Sequence, residues 1–168
     1  MGAPLAVLGL DPGSRVTGYG VVREQSGRAE LVAVGAIRTP SGGDMAERLG
    51  IIYSRVAEVI REHGPAEAAI ESVFVSKNTA SALKLGQARG AAMAACAVAG
   101  LPVSGYPPTL VKKSLVGAGR AEKEQVAFMV AQILGVRNPG WPLDASDALA
   151  VAICHLNERR LRKLTGTP

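Results

Sequence analysis

Four acidic residues stand at positions where a carboxylate is unusual. Asp11 ends the apolar segment 5–10, and Glu71 directly follows another short apolar segment. Asp144 and Asp147 are three residues apart at the start of a largely apolar stretch with helical periodicity, so both project to one side of a first helical turn. In open α/β sheets, sites form outside the carboxyl ends of the strands. If the strands that end at Asp11 and Glu71 are parallel neighbours, the carboxylates converge there.

Carboxylates gathered in one pocket repel one another, and hard divalent cations with oxygen ligands relieve that repulsion. The only two cysteines, Cys96 and Cys154, form no CxxC pair, and the two histidines are not paired. The sequence therefore favours Mg²⁺ or Mn²⁺ over Zn²⁺ as the metal of such a site.

Each acid also has a structural interpretation. Asp11 precedes Pro-Gly and could bond its own backbone in a turn. Asp144 could cap a helix, and Asp147 could answer the positive end of its dipole. For these three, taken singly, the structural interpretation is the stronger one. Glu71 resists it, because a carboxylate that ends a buried strand usually has a partner or a role. All four together favour a metal site.

The elements that position these acids follow from the hydrophobic periodicity. We predict strands at 5–10, 17–23, 31–38, 68–71 and 103–106, and helices at 45–63, 78–99, 109–116, 122–134 and 144–163. Short turns between the first strands favour an antiparallel meander, and helical crossovers favour parallel pairing of the later ones. The predicted fold is α/β: a mixed sheet, antiparallel over its first three strands and then parallel, with helices on both faces.

Length and composition fit one folded domain. The chain has 168 residues, of which 48% are hydrophobic and 20% charged, and these values exclude disorder, collagen and coiled coil. No apolar stretch is long enough to span a bilayer, and the N-terminus has no secretory signal. With only two cysteines, the chain is expected in the reducing cytoplasm, away from membranes.

The net charge of +5 is unevenly distributed along the chain. Residues 1–71 carry seven arginines and nine acids, whereas residues 72–168 carry twelve lysines and arginines and five acids. Between Glu71 and Glu122 there is no acidic residue at all. A basic half on a domain attracts phosphate backbones, although a solvated basic surface explains the charge alone equally well.

Four blocks of the chain, in order, resemble a single family. They are LGLDPGS at 8–14 with TGYG at 17–20, ESVF at 71–74 leading into 77–90, VK at 111–112 with 116–119 and 121–123, and DASDALA at 144–150. In combination they strongly resemble the RuvC Holliday-junction resolvases, over about residues 5–157.

The resemblance implies a ribonuclease H-like fold, with a single nuclease domain at 1–157 and a basic C-terminal tail at 158–168. It implies a homodimeric endonuclease of DNA recombination and repair that cuts two opposed strands of a four-way DNA junction, leaving 5′-phosphate and 3′-hydroxyl ends. The implied partners are the branch-migration proteins RuvA and RuvB. Two Mg²⁺ ions per site, replaceable by Mn²⁺, would be held by the implied catalytic acids, Asp11, Glu71, Asp144 and Asp147.

The resemblance also implies contacts with DNA. Phe74 is one of only six aromatic residues and is interpreted as a wedge that stacks on bases at the junction opening, with a core phenylalanine as the structural alternative. Lys112 and Lys123 match basic positions near the family's active centre. The basic residues predicted to contact DNA are Lys77, Lys84, Arg89, Lys112, Lys113 and Lys123.

The second predicted helix contains Gly86 and Gly90, followed by several alanines. Small residues allow another backbone to approach closely. This stripe fits either tight packing on the protein's own sheet or a helix face at a two-fold dimer interface.

Three other functions compete with a junction resolvase. A ribonuclease H or transposase core would share the acids and metals but lacks the blocks around Phe74 and Lys77-Asn78. A nucleotide-binding domain of the actin and sugar-kinase type also ends its first strand in an Asp-x-Gly turn, yet that fold needs two such domains. A non-catalytic binder of DNA structure leaves four candidate metal ligands without an explanation.

Overall fold

The computed structural model describes residues 3–72 and 77–167, which form five strands and five helices. The strands are β1 (Leu5–Asp11), β2 (Val16–Gln25), β3 (Arg28–Arg38), β4 (Glu67–Glu71) and β5 (Val103–Tyr106). The helices are α1 (Met45–His63), α2 (Thr79–Val98), α3 (Pro108–Val116), α4 (Lys123–Leu134) and α5 (Leu143–Thr165). The order of elements is the one that the periodicity predicts.

The five strands form one mixed sheet in the order β3-β2-β1-β4-β5. β2 pairs antiparallel with both β1 and β3. β4 pairs parallel with both β1 and β5. The predicted change from antiparallel to parallel pairing is therefore confirmed, and it occurs at β1, the central strand.

Alternation along the strands divides the core into two layers. Leu8, Leu10 and Ile70 point to one face, where they pack with apolar residues of α1 and α2. Val7 and Ala69 point to the other face, where they pack with residues of α3, α4 and α5. The predicted helices on both faces are confirmed.

Local signals set the ends of the two helices on the first face. Asp44 caps α1 by accepting a hydrogen bond from the backbone N–H of Glu47 at 2.8 Å. Gly64 ends α1 in the left-handed conformation, with φ of 54°. Asn78 caps α2 by accepting from the backbone N–H of Ser81 at 3.2 Å.

Helix α5 lies unusually close to β1 and β2, because glycines of both strands face it. A Cβ atom added to Gly9 would lie 2.0 Å from the backbone oxygen of Ala148. One added to Gly18 would lie 1.9 Å from the backbone oxygen of Asp144. Gly9 pairs with Gly20 across the two strands, so no side chain in this patch holds the helix away from the sheet.

The middle of α5 is enclosed on every side. Residues 148–156 are all buried, because the sheet covers one side of the helix and α3 and α4 cover the other. A helix enclosed in this way is apolar all round, which explains why the sequence after Asp147 shows no polar stripe.

Buried polar contacts fix the second half of α5 to β4. Glu67 lies 2.6 Å from His155 through one carboxylate oxygen and 2.6 Å from Arg159 through the other. The hydroxyl of Tyr106 lies 2.7 Å from Nδ1 of His155. Since a carboxylate only accepts, His155 donates to Glu67 from Nε2, and in the neutral ring Nδ1 then accepts from the hydroxyl of Tyr106. Both carboxylate oxygens of Glu67 and both ring nitrogens of His155 therefore have partners in the network, whereas Nε of Arg159 is buried without one.

Helix α5 continues without a break to Thr165, so it includes most of the predicted basic tail. In this extension Arg160 pairs with Glu24 of β2 at 2.7 Å. Among the residues that the structure describes, no helix is long and apolar enough to cross a membrane.

The contact between α5 and the glycine patch predicts an asymmetry between two glycine-to-alanine substitutions. Gly9→Ala places a methyl group against backbone atoms of α5 and should lower the free energy of unfolding by about 3 kcal/mol. Gly50→Ala, in the exposed middle of α1 with open space around it, should raise it by about 0.5–1 kcal/mol. Urea unfolding of both variants measures the difference, and equal effects would contradict the close contact.

The Glu67 network predicts a second asymmetry. Glu67→Ala leaves the buried His155 and the half-buried Arg159 without their acceptor and should cost about 2–4 kcal/mol of unfolding free energy. The matched change Glu58→Ala removes the exposed ion pair with Arg55 and should cost less than about 1 kcal/mol. Thermal unfolding compares the two, and a Glu67→Ala protein as stable as the Glu58→Ala protein would show that the network does not hold α5.

Candidate active site

Asp11 and Glu71 end two adjacent parallel strands at the same edge of the sheet. Leu10 of β1 is in register with Ile70 of β4, so the two acids occupy the next positions side by side. Gly9 contacts α5. Asp11 lies two residues further along the same strand, so it points to the same face of the sheet, towards α5. The structure thus brings together the two acids that the sequence places at strand ends.

Asp144 and Asp147 come to this edge from the first turns of α5. Asp144 is the second residue of the helix, and its backbone oxygen contacts Gly18, the register partner of Asp11. The capping position is Pro142, so Asp144 does not cap the helix. The turn after Asp11 is held by Thr17, whose hydroxyl donates to the carbonyl of Gly13 at 3.0 Å.

A cavity of about 280 Å³ opens between these elements. Asp11, Glu71 and Asp147 contribute its carboxylates, while Lys112 and Lys123 contribute its cations. Its apolar wall comes from Pro108, Val111, Val126 and Ala150. Three acids thus share a space that apolar side chains partly shield from water.

This environment opposes the ionisation of Asp11. Burial, followed by repulsion from Asp147, Glu71 and Asp144, raises the pKa of Asp11 to about 7, and the ammonium of Lys123 only partly offsets this rise. A neutral-pH pKa on an aspartate at a cleft is typical of functional sites. All four predicted acids are therefore close enough to interact electrostatically.

Lys123 is the cation closest to the acids. Its Nζ lies 3.3 Å from Oδ2 of Asp147, although the lysine side chain is 66% exposed. Attraction to Asp147 raises the pKa of Lys123. The same attraction lowers the pKa of Asp147 and of Glu71, but burial acts more strongly on both carboxyls and leaves their pKa values above the ordinary range.

The chemistry of these side chains fits divalent cations. The acidic side chains of the cavity offer carboxylate oxygens, the ligands that Mg²⁺ and Mn²⁺ prefer. Burial, and after it mutual repulsion, raise the pKa of Asp11, Glu71 and Asp147, and a bound cation relieves that repulsion. In the described ranges no three carboxylate, imidazole or thiolate groups already stand together as a ready-made metal site, so the acids would have to converge on an ion.

The predicted DNA contacts do not all lie at this cavity. Lys112 and Lys123 line it, whereas Lys77, Lys84 and Lys113 are exposed on the surface. Arg89 is half-buried, and its guanidinium lies close to β5 beside Gly105. Phe74 lies outside the described residues, so its predicted role as a wedge stays a prediction.

Sequence reasoning missed the wall of the cavity and the network behind it. Val111 and Val126 shield the acids, and the signal for them is their position: Val111 precedes Lys112, and Val126 follows Lys123 by one helical turn. Glu67 was not among the predicted site residues. Its signal is the period of the strand, which places it on the same face as Glu71.

Acids lie at the carboxyl edge of the central strands of this mixed sheet, and a buried helix crosses those strands. These features define a ribonuclease H-like protein. The family model "Crossover junction endodeoxyribonuclease RuvC" matches residues 7–155. The chain therefore belongs to the RuvC family.

Individual relatives agree with this assignment over nearly the whole chain. The crossover junction endodeoxyribonuclease RuvC of Solidesulfovibrio magneticus is 65% identical over 160 residues, covering 95% of this chain and 94% of that protein. That of Nitratidesulfovibrio vulgaris strain Hildenborough is 60% identical over 166 residues, covering 99% of each. The structure of T. thermophilus RuvC in complex with Holliday junction substrate superposes with a TM-score of 0.89 at 38% identity, covering 97% of both chains.

The raised pKa of Asp11 predicts how stability depends on pH. Its value of about 7 in the folded protein exceeds the ordinary value of 3.8, so the folded state is penalised above pH 7 and regains stability as the pH falls towards 4. Asp11→Asn should therefore raise the melting temperature by about 5 °C at pH 8 in EDTA.

The gain from Asp11→Asn should vanish towards pH 3, below the ordinary pKa of 3.8, where the carboxyl is protonated in both the folded and the unfolded state. Differential scanning calorimetry of both proteins across this range measures it. A constant difference between the two proteins at every pH would show that repulsion and burial do not act on Asp11.

Proposed function

We propose that this chain resolves four-way DNA junctions by cutting two opposed strands through metal-dependent hydrolysis of phosphodiester bonds, in homologous recombination and DNA repair. The observation that carries the proposal is the shared cavity of Asp11, Glu71 and Asp147 at the sheet edge of a RuvC-family chain. A phosphodiester resists hydrolysis because its negative charge repels the attacking nucleophile. The site must therefore hold positive charge where the acids stand.

Asp11, Glu71, Asp144 and Asp147 would hold two Mg²⁺ ions, with Mn²⁺ as a substitute. When bound, such a pair would supply an attacking hydroxide at neutral pH, neutralise the phosphate and stabilise the leaving 3′-oxygen. Asp11 is central among the acids, since each of the other three raises its pKa. We assign Asp11 to the centre of the metal site and the other three acids to the remaining protein ligands that would hold the ions.

The lysines of the cavity act on the substrate. Lys112 and Lys123 stand on separate helices at the rim of the acidic cavity, where ammonium groups attract the scissile or adjacent phosphates. Lys123 also holds Asp147 at 3.3 Å, which keeps that carboxylate turned towards the cavity. Apolar residues of α3 and α4 exclude bulk water from one side.

Cleavage of this kind leaves a 5′-phosphate and a 3′-hydroxyl, because the leaving group is the 3′-oxygen. A ligase can seal such nicks directly. Lys77, Lys84, Arg89 and Lys113 would contact the DNA outside the cavity, with Phe74 stacking on bases at the junction opening.

We further propose that two copies of the chain act together as a homodimer. A junction has two equivalent scissile phosphates, and a two-fold dimer matches that symmetry. Helix α2 supports this proposal because Leu83 is 65% exposed and a Cβ atom at Gly86 or Gly90 would meet nothing within 4 Å. The small residues of α2 therefore leave room for a second backbone.

The surroundings of the enzyme complete the proposal. We place it in the cytoplasm with RuvA and RuvB, the branch-migration proteins, as partners at the junction. The nuclease domain at 1–157 is proposed to carry the chemistry. Residues 158–168 keep the predicted role of a basic tail, most of which is the last part of α5.

Substitution of one acid tests the proposal directly. Wild-type protein with Mg²⁺ should produce paired, ligatable nicks in a labelled four-way junction, and none in EDTA. Asp144→Asn should lower the cleavage rate by about 100-fold or more, because it removes charge from the group that holds the cations. The matched variant Asp44→Asn should cut normally, since asparagine caps a helix as well as aspartate does.

Two results would overturn the proposed function. Tight junction binding without cleavage, even in Mn²⁺, would leave a binder of DNA structure. Cleavage of an RNA–DNA hybrid in preference to the junction would select a ribonuclease H activity.

A further inference from the structure

A second cavity, of about 340 Å³, lies beyond the turn that follows β1. Its walls are strongly basic. They are formed by Ser14, Arg15, Arg48, Ser81, Lys84 and Leu85. Three cations and two hydroxyls thus share a space whose described lining contains no acid.

The three cations come from three separate parts of the fold. Arg15 belongs to the turn between β1 and β2, Arg48 to α1 and Lys84 to α2. In the described part of the chain none of the three forms an ion pair with a carboxylate. Like charges in one cavity repel, so their convergence without a counter-charge favours an anionic ligand.

Two sets of hydrogen bonds fix the walls of this cavity in place. The backbone N–H of Thr39 donates to the carbonyl of Arg15 at 3.0 Å, and its hydroxyl donates to the carbonyl of Ser14 at 2.7 Å. The guanidinium of Arg48 donates to the carbonyls of Pro40 at 3.1 Å and Ser41 at 2.8 Å. These acceptors are neutral, so they orient Arg48 without removing its charge.

The start of α2 adds to the positive potential. The first turn of this 20-residue helix contains no acidic residue, and a helix N-terminus carries a partial positive charge. Ser81 places a hydroxyl donor in the cavity from the same turn. Arginine, lysine and hydroxyl groups together are the donors that proteins use for phosphate oxygens.

The basic cavity is a neighbour of the catalytic cavity and is separate from it. Ser14 is three residues beyond Asp11, a stretch that spans at most about 10 Å. The two cavities share no lining residue. The basic cavity is lined from α1 and α2, which pack on one face of the sheet, while the acids face α5 on the other.

We propose that the basic cavity binds a backbone phosphate of the DNA substrate, one or two nucleotides from the scissile phosphate. This inference rests on the proposed function, which supplies DNA as the ligand. Arg15, Arg48 and Lys84 neutralise the phosphate, and the hydroxyls of Ser14 and Ser81 donate to its oxygens. Held there, the strand has a fixed position relative to the acids.

The test compares the substitution of an arginine in the basic cavity with the substitution of an arginine outside it. Arg15 is exposed and forms no side-chain hydrogen bond with the described residues, so Arg15→Gln should fold normally. Arg61→Gln is the control, an exposed arginine near the far end of α1. Junction binding in EDTA should weaken about tenfold for Arg15→Gln, with a salt-dependence slope smaller by about 0.9, and stay near wild type for Arg61→Gln.

Neutral linkages locate the phosphate. A single methylphosphonate placed one or two nucleotides from the cut should weaken wild-type binding at least as much as Arg15→Gln does, because it removes the charge that all three cations face. The same linkage should cause a smaller loss in Arg15→Gln than in the wild type, because one of the three cations that face the phosphate is already gone. Arg48→Gln should give the same pattern, with thermal unfolding as its check because it also loses two loop hydrogen bonds.

The outcomes separate this inference from the proposed function. If the wild type cuts junctions but Arg15→Gln binds like Arg61→Gln, or loses the same affinity at every neutral linkage, the basic cavity does not hold a DNA phosphate. If the linkage and Arg15→Gln effects appear but the junction is never cut, the phosphate site stands and the resolvase activity fails.

Discussion

The contact between α5 and the glycine patch of β1 and β2 is the constraint on which the site depends. Backbone meets backbone there, since a Cβ atom at Gly9 or Gly18 would come within about 2 Å of a carbonyl oxygen of α5. A helix seated this deeply brings its first turns to the end of β1. Asp144 and Asp147 are consequently close enough to Asp11 to raise its pKa, without a long loop to carry them there. The Glu67 network holds the other half of the helix in place.

The contact between α5 and the glycine patch also brings carboxylates together, so that they repel one another in the folded protein. Apolar residues of α3 and α4 that cover α5 also wall the acidic cavity, so burial and like charge act together on Asp11. Lys123 compensates only in part, because its side chain is largely exposed. An arrangement that is unfavourable alone and favourable with cations is the expected condition of a site that must gather positive charge around a phosphate.

The sequence predicts the order of elements along the chain, the change from antiparallel to parallel pairing and the helices on both faces, because these depend on local periodicity and on turn lengths. It also places four acids at the ends of elements, and the structure brings the other three within electrostatic reach of Asp11. It does not predict the Glu67–His155 contact, which joins residues 88 positions apart. Nor does it distinguish Arg15 and Arg48 from other surface arginines. Their convergence arises from packing of α1 against α2 and from carbonyls of the loop at 39–41, and such pairings leave no periodic trace.

The two neighbouring cavities carry opposite charges: the one beside α5 is acidic, and the one beside α1 and α2 is basic. On the α5 side, carboxylates repel a phosphate until cations are bound. On the α1–α2 side, arginines and a lysine attract one unconditionally. A DNA strand would therefore be held first by the basic cavity, and the acidic cavity would accept the next part of its backbone only with metal present. Under these proposals, binding would precede metal-dependent cleavage, because the attraction that positions the strand would come from residues outside the catalytic cavity.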